Sequence, residues 1–90
     1  MVTVRFFATI RKITGEKETF LAASTLQELL EQLALEHRSR FHQAVYGPDG
    51  VSDEAIILVN GRHLEHLPEG LKTKLSPNDT VAIFPLVVGG

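Results

Sequence analysis

Hydrophobic and polar residues alternate from Val2 to Thr9, with Val2, Val4, Phe6 and Ala8 on one side and Thr3, Arg5, Phe7 and Thr9 on the other. A period of two predicts a strand with one buried face. Gly15-Glu16-Lys17 then turns the chain, and Glu18 to Ala22 returns as a second strand of an N-terminal hairpin. The period changes after Ser24. Leu26, Leu29, Leu30, Leu33 and His37 share one helical face, while Glu28, Glu31 and Gln32 face water. Ser24 is the expected N-cap, with Gln27 three residues on completing a capping box. Leu35 lies off the apolar stripe and is left for the following segment to cover.

The pattern is least regular from Arg38 to Glu54, where a short helical turn around Phe41 to Val45 precedes the turn-rich Tyr46-Gly47-Pro48-Asp49-Gly50. Ala55 to Val59 is a continuous apolar run and reads as a central strand. Asn60-Gly61 follows it, the pair best suited to a type I′ turn, and Arg62-His63-Leu64 supplies a short partner strand. Pro68-Glu69-Gly70 and Ser76-Pro77-Asn78-Asp79 turn around a connection carrying Leu71 and Leu75, before a last strand from Thr80 to Pro85. This order predicts an α+β fold with one main helix packed on a mixed sheet. A central last strand is most economically placed beside the first, which is the β-grasp, or ubiquitin-like, arrangement. Residues 1–85 are expected to form that domain and residues 86–90 a flexible tail.

Ninety residues make one domain, and such a chain buries roughly 60–65% of its unfolded surface. That suits one modest core rather than a large enclosed active site. A net charge of −2 offers no basic stripe for nucleic acid. Cysteine is absent, which removes disulfides, thiolate ligands and a thiol nucleophile. No apolar run is long enough to span a bilayer, and Met1 to Arg5 lacks a signal-peptide layout, so a cytoplasmic location is expected. The phosphate-binding GxxxxGK[ST] loop, the GxSxG elbow and HExxH are all missing. His63 and His66 stand three apart in a strand or loop, a spacing that suits a solvated or half-buried pair better than a metal site. The carboxylates are scattered, and no general acid/base pair is identifiable.

Candidate chemistry therefore falls on the end of the sequence, Leu86-Val87-Val88-Gly89-Gly90. Without β-carbons, Gly89 and Gly90 can pass through a channel too narrow for side chains. From Pro85 to Gly90 an extended backbone reaches about 20 Å, enough to enter a partner's pocket while the body stays outside. A carboxylate on Gly90 needs activation. A partner holding ATP and magnesium can join it to AMP, and a sulfur donor can displace AMP to leave a thiocarboxylate. No cofactor is expected on this chain itself. Strand parity turns Phe7, Leu58, Ala82 and Phe84 outward when Phe6, Ile57, Val59, Val81 and Ile83 form the core. The result is an apolar patch bordered by Arg11 and Arg62, unless the segment from Arg38 to Glu54 folds over that face.

Val4-Arg5-Phe6-Phe7-Ala8 through Arg11, the capped helix, Leu58-Val59-Asn60-Gly61-Arg62 and Leu71-Lys72-Thr73-Lys74-Leu75 occur in a telling order. Asp79 to Pro85 and the closing Gly89-Gly90 continue it. Together they resemble the ubiquitin-like sulfur carriers of the MoaD/ThiS type, particularly the small subunit of molybdopterin synthase. The resemblance implies a β-grasp fold and adenylation of Gly90 by a ubiquitin-activating-type enzyme of the MoeB/ThiF kind. It also implies conversion to a thiocarboxylate and sulfur delivery to a large MoaE-like subunit that builds the molybdopterin dithiolene. Partner contacts then fall on Phe7, Arg11, Phe84 and the tail from Pro85, Leu86, Val87 and Val88 to Gly89 and Gly90. Leu86 replaces a second proline found in many members, and the segment from Arg38 to Glu54 is longer than in the smallest ones. Carrier roles in thiamin, cysteine or tRNA thiolation stay open. So do a lysine-acylating modifier and a non-covalent interaction domain.

Overall fold

In this computed structural model, which describes residues 1–86, the chain runs β1 (Val2–Phe6), α1 (Ala8–Thr14), β2 (Glu18–Leu21) and α2 (Leu26–Val45). It continues through β3 (Tyr46–Gly47), β4 (Gly50–Val51), β5 (Ala55–Val59), β6 (Arg62–His63) and β7 (Thr80–Pro85). Single 3₁₀ turns at Leu64–His66 and Gly70–Lys72 join β6 to β7. The main sheet has the order β2-β1-β7-β5-β6, and β3-β4 is a separate ribbon. β1 and β7 are parallel, with Val4 opposite Val81 and Phe6 opposite Ile83, while the other pairs are antiparallel. This is the mixed sheet of a β-grasp fold, and α2 covers one face. No helix among the described residues is long and apolar enough to cross a membrane.

The core lies between α2 and that face. Val2, Val4 and Phe6 of β1, Ile57 and Val59 of β5, and Val81 and Ile83 of β7 are buried against Leu26, Leu29, Leu30 and Leu33. The two periodicities meet here: every second strand residue and one helical stripe converge on a single cluster.

The expected strand through Thr9 instead stops at Phe6. Ala8 takes φ 52, which turns the chain off the sheet, and the helix α1 bridges β1 and β2 where a simple hairpin turn was expected. Its signals are weak. Ile10 and Ile13 lie three apart, with Ile10 buried and Ile13 packed on the core, and Gly15 ends the helix at φ 76 with its N–H bonded to Arg11 O at 2.8 Å. The cap of α2 is Thr25, not Ser24. Thr25 Oγ1 accepts from Glu28 N at 3.2 Å, and Gln27 spends its amide on Glu31 instead of closing a box. The carbonyl of Ser24 is held by the N–H of Leu75 at 2.9 Å, so its backbone serves the neighbouring connection.

The illegible segment continues α2 beyond a break at Arg38 (φ 61, ψ −146). Phe41 and Val45 of this second arm are fully buried in the same core, so the segment packs with α2 rather than over the open sheet face. Leu35 stays 81% exposed, not covered as expected. Burial, and then the charge of Glu31, push the Tyr46 phenol up at the α2–β3 corner. Asn60 (φ 51) and Gly61 (φ 86) adopt the expected positive-φ turn. The Asn60 side chain adds a clamp: its Nδ2 donates to Asp79 Oδ1 and its Oδ1 accepts from Thr80 N, both at 2.9 Å. The β5–β6 turn is thereby tied to the start of β7.

Two stability changes follow, each measurable by urea denaturation. Asn60→Ala loses about 2 kcal/mol through its two hydrogen bonds and a positive φ, whereas Asn60→Gly, which accepts that φ, loses about 1 kcal/mol. Arg38→Gly gains about 1 kcal/mol, because relief of a backbone conformation nearly reserved for glycine outweighs glycine's added chain entropy.

Candidate functional site

The sheet face away from α2 is built by the residues that alternate with the core. Across one row, Glu18, Arg5, Ala82, Leu58 and His63 stand on successive strands; a neighbouring row pairs Phe84 with Ile56. Leu58, Ala82, Phe84 and Ile56 are half-buried, in contrast to their buried neighbours Ile57, Val59, Val81 and Ile83.

Phe7 completes the patch from just beyond β1. Its backbone is still extended (φ −130, ψ 149), and its N–H donates to Ile83 O at 3.2 Å, prolonging the parallel ladder by one residue. Its ring stacks on Phe84, with centroids 4.2 Å apart and planes 8° from parallel. The guanidinium carbons of Arg5 and Arg11 lie 5.7 and 5.9 Å from the Phe7 centroid. Arg11 is oriented by its Nε, which donates to Phe6 O at 3.2 Å. Arg5 also approaches Glu18 at 3.9 Å, but both side chains are about half exposed and the pair is weak. The site is therefore an aromatic stack with two cations beside it.

The sequence reading does not single out Arg5, although its shared parity with Thr3 and Phe7 is the available signal. Arg62 is placed differently from expectation. It stands opposite Val59, on the core-side parity, and its Nη2 donates to His66 O at 3.3 Å. His63, opposite Leu58, takes the border position instead. His63 and His66 form an edge-on pair with centroids 6.2 Å apart, and His63 Nδ1 accepts from Glu65 N.

The way out of the sheet is equally defined. Pro85 pairs with Ala55 at the end of β7, and Leu86 N donates to Glu54 O at 2.7 Å. Leu86 is 42% exposed. The last of these bonds is thus made two residues beyond Phe84 of the stack. The expected site residues Val87, Val88, Gly89 and Gly90 lie outside the described residues.

The ThiS family matches residues 4–90. The chain belongs to the ThiS family. It is 34% identical over 91 residues to small archaeal modifier protein 3 of Haloferax volcanii, covering 97% of this chain and 96% of that protein. The solution structure of small archaeal modifier protein 1 from Methanosarcina acetivorans superposes with a TM-score of 0.85 at 29% identity, over 99% of this chain and 95% of that one. Subunit 1 of a molybdopterin converting factor from Pyrococcus furiosus gives a TM-score of 0.72 at 27% identity, over 96% and 97% of the two chains. This ThiS-family chain is thus a ubiquitin-like protein of the sulfur carrier and modifier group.

The half-buried stack lies outside the core of this ThiS-family body. Phe84→Ala should cost about 1–2 kcal/mol of stability, against about 3–5 kcal/mol for Phe6→Ala in the core. Urea denaturation of the two variants measures the contrast; equal losses would place the Phe84 ring in the core.

Proposed function

We propose that this protein is a sulfur carrier whose Gly90 carboxylate is the reacting group, and that the body acts as a co-substrate rather than an enzyme. The observation that carries the reading is the exit of the chain beside the aromatic platform, fixed by the Leu86–Glu54 hydrogen bond. Fully extended, the four residues after Leu86 reach about 13 Å. A partner that docks on Phe7, Phe84 and Leu58, and offers carboxylates to Arg5 and Arg11, would have its catalytic pocket within that reach.

The chemistry runs in two steps. A carboxylate oxygen of Gly90 attacks the α-phosphorus of ATP on a ubiquitin-activating-type enzyme of the MoeB/ThiF kind, and magnesium-bound pyrophosphate leaves. Hydrosulfide, or a donor delivering sulfur at the sulfide level, then attacks the acyl carbon of the adenylate, AMP departs, and loss of a proton leaves the thiocarboxylate. This chain has no cysteine, so the carried sulfur sits on the terminus. Molybdopterin synthesis with a MoaE-like large subunit is the pathway we favour. The 27% identical molybdopterin converting factor subunit supports it across nearly the whole chain.

A second reading has its own support. The 34% identical relative is named as a modifier protein, and a lysine amine attacking the same adenylate-derived acyl group would give an isopeptide bond. Intact-mass and peptide analysis of the protein from its native cell tests both. Sulfur replacing oxygen at Gly90 is the expected product, whereas Gly90 joined to a lysine peptide would establish the modifier instead. An unchanged end after incubation with the activating enzyme and ATP would exclude both. Deleting Gly90 should abolish ATP-dependent AMP formation and leave the melting temperature unchanged.

A further inference from the structure

On the other side of the molecule, where α1 meets α2, Glu16, Glu36 and His37 bring one donor atom each to within 4.8 Å of one another. We infer that these three residues form a binding site for a first-row divalent metal ion of the zinc type, bridging the α1–β2 turn and the end of α2's first arm.

The donor set selects the ion class. One imidazole and two carboxylates suit zinc and its first-row neighbours, whereas magnesium and calcium prefer oxygen ligands throughout. The three side chains also differ in freedom in a way that suits capture. His37 is held by the core: its ring meets Phe6 edge-on at 6.2 Å and Phe41 at 6.0 Å, both fully buried. Its Nε2 is buried without a hydrogen-bond partner, so no bond within the fold fixes which ring nitrogen carries the proton. Glu16 and Glu36 are exposed. Donors around a tetrahedral ion at ordinary ligand distances stand about 3.4 Å apart. The three donor atoms already lie within 4.8 Å of one another, and the two carboxylates that would close on an ion are exposed.

Their backbones are well placed for this. Glu16 directly follows the cap Gly15, and its N–H and carbonyl both bond the Thr14 hydroxyl, at 3.3 and 3.2 Å. Glu36 and His37 are the last two residues before the break at Arg38. Adjacent residues on a helix point in different directions, so a ligand from a second element is what allows a shared ion. Glu16 is that ligand, and water would fill the remaining position. An ion bound only in the folded state would pin α1 to α2 and add stability by mass action.

Calorimetric titration of the whole chain with zinc chloride, with thermal melts alongside, tests the site. Wild type should show one saturable ion per chain, a higher melting temperature with zinc, and shifted His37 ring resonances. Glu16→Gln and Glu36→Gln, both at exposed positions, should each weaken binding about 10-fold or more and lose the thermal gain. Glu28→Gln, an exposed carboxylate elsewhere on α2, should leave binding unchanged. Absence of saturable binding by wild type would overturn the assignment. So would equal affinity in wild type and both glutamine variants at positions 16 and 36.

Discussion

The parallel pairing of β1 with β7 is the constraint on which the rest of this molecule depends. Parallel neighbours cannot be joined by a tight turn, and here almost the entire chain lies between them. Everything in that interval must bring Thr80 beside Thr3 and Val81 beside Val4. The Asn60 clamp is part of this arrangement, because it fixes the first residue of β7 against the β5–β6 turn. A pairing of such high sequence separation is entropically costly to close. It also sets the place where the chain leaves the body. Were β7 on an edge, its last residues would not emerge beside Phe7.

A single backbone parity then builds both the core and the platform on the open face. Val81 and Ile83 look toward α2 and are fully buried, while Ala82 and Phe84, which alternate with them, look the other way. A one-residue register shift would exchange the two sets, losing the core and the platform together. The open face is kept from being a loose apolar surface by the stack of Phe7 on Phe84 and by the guanidinium groups of Arg5 and Arg11 beside it. The stacked rings pack against each other, and the cations beside them keep the patch wettable.

The parts legible in the sequence were those in which local preference and burial agree. β5 is a continuous apolar run that sits between two strands, Asn60-Gly61 has the chemistry its turn demands, and Leu26 to Leu33 repeat at the helical period. The illegible parts are those where local preference was overruled or ambiguous. α1 presents only Ile10 as a buried residue in its seven, and the alternation of β1 runs on into its first residues, so period two masked a helix. The break at Arg38 gives no composition signal, since arginine is not a residue that announces a positive φ. Arg62 was misplaced because a two-residue strand offers no pattern from which to read parity. In the site itself, Phe7, Leu58 and Phe84 followed from alternation alone. The presence of Arg5 depended on distances that only the folded chain displays.

The same body can belong to a sulfur carrier or to a protein modifier, and the chemistry explains why. Both begin with an acyl-adenylate on the terminal glycine, and they diverge only in whether sulfur or an amine attacks it. Neither nucleophile need belong to the carrier. On the function proposed above, the body would contribute a docking surface and a defined exit point, and either role could use the same β1–β7 pairing and aromatic platform. A fold comparison therefore returns both kinds of relative with high superposition, as it does here. If the platform is the docking surface proposed above, the rim formed by Arg5, Arg11 and His63, which differs from the apolar centre in charge and reach, is where carrier and modifier partners would be told apart.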